Sequence, residues 1–148
     1  ASGLELVELS ESTKKAFEEG IRRGTFPPIM SYANPVDLSA QVTSDAFHEA
    51  LKILLEDPKV NGIIVITLHH TPFVMDDVVG KIAAPAYEKR KPVIAVDIGA
   101  TEMAQEIRAR FEKFRVPAFN APERAARAMY ALAYYGKFLK EHGLVEAV

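Results

Sequence analysis

Residues 63–68 read Ile-Ile-Val-Ile-Thr-Leu, six apolar or β-branched side chains in a row, between Asn61-Gly62 and His69-His70-Thr71-Pro72. A run without polar alternation offers no face to water. It suits a strand covered on both sides, as in parallel sheets flanked by helices. After it Val74, Val78 and Ile82 recur at helical spacing, which predicts a strand, a turn and a helix opening near residues 73–76. In open parallel sheets ligands gather where strands end and helices begin, and helix N-termini favour anions. Residues 68–76 are therefore the first place to look for chemistry.

Similar punctuation divides the rest of the chain. Residues 3–9 alternate apolar and acidic side chains, the period of an edge strand. Ser10 is a candidate cap for a helix over residues 11–19. Phe47, Ala50, Leu51 and Leu54 mark another helix, stopped by Asp57-Pro58. Lys91-Pro92 leads into a second β-branched run, 93–96, that ends at Asp97. Thr101 is placed to cap a helix with Met103, Ile107, Phe111 and Phe114 on one side, and residues 116–119 form a short strand. Asn120-Ala121-Pro122-Glu123 then supplies a cap, a first-turn proline and a reciprocal glutamate for a last helix reaching about Lys140. Pro85 falls inside the helix after the central strand and is expected to kink or end it. Strands alternating with helices predict an α/β domain of three layers, αβα, around a mostly parallel sheet. With 148 residues, the chain is read as one domain, with an edge strand over 1–9 and the core over 34–140.

Composition removes several function classes. The net charge is −2 and like charges do not cluster, so there is no electrostatic footprint for nucleic acid or an anionic membrane. Without cysteine there are no disulfides, thiolate metal sites or thiol nucleophiles. Neither a G-x-x-x-x-G-K-[ST] nor a G-x-G-x-x-G cradle occurs, and no G-x-S-x-G elbow. No apolar run is long enough to span a bilayer, and the expectation is a cytoplasmic protein.

The remaining candidates lie at strand ends. His69 and His70 suit a phosphate or carboxylate contact, or simply shape a loop, and His48 and His142 add no metal-ligand spacing. The backbone amides of residues 71–76, with Thr71, Phe73, Val74 and Met75, are the stronger anion candidates; Asp76 and Asp77 temper them by satisfying the same dipole. Asp37 and Asp97 each follow an apolar segment, where a carboxylate serves magnesium or a general base, or orders a turn. On the last helix Ala125, Met129, Leu132 and Gly136 form one stripe; Tyr130, Tyr134 and Phe138 form a second, either core or docking surface.

Several short segments fall in a recognisable order: Asn34-Pro35-Val36-Asp37-Leu38, Leu54-Leu55-Glu56-Asp57-Pro58-Lys59-Val60, Lys91-Pro92-Val93, and Val116-Pro117-Ala118-Phe119-Asn120-Ala121-Pro122-Glu123-Arg124-Ala125. Together they resemble the third, flavodoxin-like (Rossmann-like) domain of the NDP-forming acyl-CoA synthetases (acetate–CoA ligase, ADP-forming). More remotely they are similar to the C-terminal domain of the succinyl-CoA synthetase β subunit. The resemblance implies ligase chemistry through an acyl phosphate and a phosphohistidine on a mobile loop, toward which this domain points a helix N-terminus. It implies that His69, His70, Thr71, Phe73, Val74 and Met75 contact that phosphate while Asp37 and Ser39 shape a neighbouring loop. It also implies partners that carry the CoA-binding, phosphohistidine and ATP-grasp functions, and that ATP or ADP, Mg2+ and coenzyme A bind there rather than to this chain alone. Relatives place the phosphorylated histidine in a preceding domain with its own motif, which this chain lacks, so neither His69 nor His70 is that residue and the isolated chain is expected to be inactive. Relatives also open with a glycine-rich strand and a helix ahead of the part matching residue 3, so the sheet is expected to be one strand short. The alternative reading is a non-catalytic interaction or regulatory module of an acyl-CoA-synthetase-like protein.

Overall fold

The β-branched run folds as expected: β1 spans Ile63–Thr67 and lies parallel to β2, Val93–Asp97, with Ile63 opposite Val93 and Thr67 opposite Asp97. A two-residue strand, β3 (Ala118–Phe119), pairs parallel to the other edge of β2, giving the order β1-β2-β3. The computed structural model describes residues 3–68, 71–88 and 91–144. Its helices are α1 (Glu11–Arg22), α2 (Ser44–Glu56), α3 (Val78–Glu88), α4 (Glu102–Lys113) and α5 (Pro122–Glu141). No helix among the described residues is long and apolar enough to cross a membrane.

Strand alternation sorts the layers. Val65, Val93 and Ala95 face one way and bury against Leu51, Leu55, Val79, Ile82 and Phe111 of α2, α3 and α4. Ile94 and Val96 face the other way, against Ala125 and Met129 of α5. The sheet is therefore covered on both sides, and all five residues of β2 are buried. The three-layer α/β expectation holds.

Several local expectations are corrected. Residues 3–9 form no ladder; Leu4 folds onto the α5 side of the sheet and Leu9 sinks into a second core with Phe17, Phe26 and Met30. An alternating pattern needs a partner strand to become one, and among the described residues none lies alongside. The core also reaches well upstream of residue 34, because α1 buries Phe17 there. Pro85 neither ends nor breaks α3. A proline removes the N–H that the carbonyl four residues back would accept; here that carbonyl, on Lys81, accepts from His48 Nδ1 at 2.9 Å instead. On α4 the inward face is Ala104, Ile107 and Phe111, whereas Met103 and Phe114 are exposed. At α5 the cap position is Ala121, which has no side chain to bond, while Pro122 takes the first turn as expected.

Candidate functional site

The segment from Leu68 to α3 leaves the carboxyl end of β1, and α3 begins at Val78 rather than near residues 73–76. Backbone turn bonds hold the described residues of this segment. Thr71 N–H donates to Leu68 O at 3.1 Å, Val74 N–H to Thr71 O at 3.1 Å, and Val78 N–H to Met75 O at 3.0 Å. The Met75 amide donates to Ser44 Oγ at 2.9 Å, so the first turn of α2 grips the loop. On the other side the Arg110 guanidinium of α4 donates to Asp76 O. Val74 reads as a helical position because it is apolar at the right spacing; it packs inward from the loop instead, half-buried against the same core as Phe47. The amides of Thr71, Val74 and Met75, expected to face an anion, are thus used within the chain.

Other amides stay uncommitted. Those of Phe73, Asp76, Asp77, Val79 and Gly80 donate to no described residue. Lys81 N–H reaches back to Asp77 O at 3.0 Å, which fixes the helix start and leaves the Val79 and Gly80 amides as its orphan donors. The Phe73 and Met75 side chains are 55% and 65% exposed, so the loop is not sealed beneath them. The amides without a described acceptor that are not buried are thus those of Phe73, Asp76, Asp77 and Gly80, on the whole later than the sequence suggests.

Charge around the loop is mixed. Asp76 and Asp77 are exposed at the helix start. Asp45 pairs with Lys81 at 2.6 Å, which holds the Asp45 carboxyl below and the Lys81 ammonium above their ordinary values. Among the described residues no group of His, Asp and Glu is arranged to hold a metal ion.

The remaining candidates separate into order-keeping roles. Asp37 accepts from Ser39 N–H at 2.8 Å, and Ser39 Oγ accepts from Gln41 N–H at 3.2 Å, with Ser39 at φ 64°. This is the turn-ordering alternative for Asp37. Leu38 and Val74 pack against one cluster, but no hydrogen bond among the described residues joins Asp37 or Ser39 to residues 71–77. Asp97 is fully buried and accepts from Thr67 Oγ1 at 2.9 Å across β1 and β2. Its backbone carbonyl and that of Gly99 both accept from Arg108 Nη1, at 2.8 and 3.0 Å, which fixes the loop after β2. His69 and His70 lie outside the described residues. Sequence reasoning missed Ser44 and Arg110. Ser44 adjoins the cap Thr43, a hint that it sits at a helix start, whereas nothing local marks Arg110.

Fold and loop together define a class: a three-layer α/β domain that presents uncommitted backbone amides at the carboxyl edge of a parallel sheet. The chain belongs to the Ligase-CoA domain family, whose model matches residues 1–138. It is 32% identical over 141 residues to the α subunit of acetate–CoA ligase (ADP-forming) II of Pyrococcus furiosus, covering 91% of this chain and 29% of that protein. To the α subunit of isoform I of the same organism it is 30% identical over 120 residues, covering 78% of this chain and 25% of that protein. Among solved structures it is similar to the apo form of dinucleotide-forming acetyl-coenzyme A synthetase 1 of Ca. Korarchaeum cryptofilum, with TM-score 0.79 and 27% identity, over 99% of this chain and 31% of that one. A protein of Pyrococcus horikoshii OT3 matches with TM-score 0.75 and 29% identity, over 88% of this chain and 30% of that one. The chain spans less than a third of the length of these relatives.

Proposed function

We propose that this chain acts as one domain of an ADP-forming acyl-CoA synthetase and steadies a phosphohistidine carried by another part of that enzyme. A phosphoryl group is anionic at neutral pH, and oriented amides at a helix start stabilise it without a titrating side chain. The observation that carries this reading is the set of uncommitted amides at Phe73, Asp76 and Asp77, on an exposed loop clamped by Ser44 and Arg110, with that of Gly80 in the first turn of α3 beyond it. Thr71, Val74 and Met75 give that loop its shape. Asp37 and Ser39 order the neighbouring turn. The partners are the domains that bind coenzyme A, carry the histidine and grasp ATP with Mg2+. By itself the chain turns nothing over, and its place is the cytoplasm, where those substrates are.

Gly80 offers a test because a Cβ there meets no atom within 4 Å. Gly80→Glu adds a carboxylate to the first turn, which suits the helix but repels a bound phosphate. In the assembled ligase G80E is expected to lower the steady-state phosphohistidine yield about fivefold, roughly 1 kcal/mol, with G80A near wild type. Equal yields for both variants refute the proposal. A second reading, a non-catalytic interaction or regulatory module, draws on α5, whose Tyr130, Tyr134, Tyr135 and Phe138 are exposed. Full ligase activity in the absence of this chain selects it.

A further inference from the structure

Two of the uncommitted loop amides are aimed from behind. In a trans peptide the N–H of one residue points opposite to the carbonyl of the residue before it. The Met75–Asp76 and Asp76–Asp77 bonds are trans. The Asp76 N–H therefore shares a rigid plane with the Met75 carbonyl, and the Asp77 N–H shares one with the Asp76 carbonyl. Both carbonyls are held. Met75 O accepts from Val78 N–H at 3.0 Å and from Ser44 Oγ at 3.5 Å. Asp76 O accepts from Nη2 of Arg110, which reaches across from α4. Arg110 adjoins Phe111, a fully buried anchor of that helix, so the guanidinium is carried on a fixed base. Among the described residues Asp76 O is its one hydrogen-bond acceptor and no carboxylate pairs with it. Lys81, by contrast, is taken up by Asp45.

We propose that Arg110 is a positioning residue for the phosphoryl contact: through the Asp76 carbonyl it aims the Asp77 N–H and strengthens it as a donor. A hydrogen bond from a cation polarises the peptide that accepts it, and the N–H on the far side of that peptide becomes a better donor. Because that N–H leaves opposite the carbonyl, an anion there meets the peptide and not the guanidinium. The positive charge still acts across the plane, where it offsets the exposed carboxylates of Asp76 and Asp77 that oppose a phosphoryl group. A guanidinium suits the role, since it keeps its proton at any working pH and presents its donors in a rigid fork. This role rests on the phosphoryl reading of the loop and adds the residue that sets one of its amides.

The test uses the assembled ligase with Arg110→Met, which keeps an apolar stem but loses donor and charge, and with Arg110→Lys, which keeps both. R110M is expected to lower the steady-state phosphohistidine yield about threefold. In R110M the carbonyl carbon of Asp76 and the amide nitrogen of Asp77 are expected to shift, while the Asp76 amide, aimed by the Met75 carbonyl, stays in place. Hydrogen exchange at Met75 and Lys81 is expected to be unchanged, and in R110K the yield should return as far as the Asp77 shift does. A normal yield in R110M, where G80E lowers it, overturns the role of Arg110 and leaves the phosphoryl reading standing. A lower yield with the Asp77 amide unmoved overturns it as well. So does a lower yield with faster exchange at Met75 and Lys81, which makes Arg110 a mere tether of the loop. If neither R110M nor G80E lowers the yield, both readings fall.

Discussion

Replacing Asp57 by asparagine should cost this domain a large part of its stability, and the structure indicates how much. Asp57 ends α2, is 1% exposed, and uses its two carboxylate oxygens separately. Oδ2 accepts the Ser10 amide at 2.8 Å, at the start of α1, and Oδ1 accepts the Lys59 amide at 2.9 Å. Burial pushes this carboxyl up; the Ser10 and Lys59 amides, with the hydroxyls of Thr13 and Ser10, outweigh it and bring it from 3.8 down to about 2. A drop of nearly two units corresponds to about 2 kcal/mol of stability. Because the folded value is depressed, that stability is fully present above about pH 4 and lost as pH falls toward 2. Asparagine keeps the shape, but turns one acceptor into a donor that faces an amide N–H. A buried donor left without its charged acceptor costs about 2–3 kcal/mol. Urea unfolding at pH 7 should show D57N weaker by that amount, with the gap to wild type narrowing as pH falls from 4 to 2. A D57N loss below ~0.5 kcal/mol, or parallel acid curves for the two proteins, would refute the reasoning.

Three other outcomes follow from particular contacts. His48→Ala leaves Lys81 O bare in the Pro85 helix and should cost about 1–2 kcal/mol, but clearly less when combined with Pro85→Ala, which restores the helical N–H; a double-mutant cycle in urea reads the coupling. Gly20→Ala would put a Cβ 2.4 Å from the ring of Phe26, itself 2% exposed, so thermal unfolding should register a loss of about 1–3 kcal/mol. Ser44→Ala removes the acceptor of the Met75 amide, and exchange at Met75 should accelerate while α2 stays protected.

What could be read from the residues follows from how local each signal is. Both long strands emerge within a residue of their limits because unbroken β-branched runs have few other uses. The caps Ser10 and Thr101 also fall where expected, since each bonds an amide three residues ahead. The sequence places the start of α3 too early because periodicity registers inward packing, and Val74 packs inward, half-buried, from a turn. Residues 3–9 alternate like a strand, but pairing depends on a neighbour. The clamps on the candidate loop come from positions 31 and 34 residues away, a relation that spacing does not encode. Likewise the exposure of Tyr134 and Phe138 is set by how far α5 runs past the sheet, whereas Met129 on the same helix lies buried over it.

The central claim is that uncommitted backbone donors past β1 meet a phosphorylated histidine. Its most direct test is the amide spectrum of the isotopically labelled chain inside the assembled ligase, recorded before and after ATP phosphorylates the histidine. The account predicts shifts at Phe73, Asp76, Asp77 and Gly80, with Thr71 and Val74 little changed. Phosphorylation that leaves those four amides where they were contradicts it.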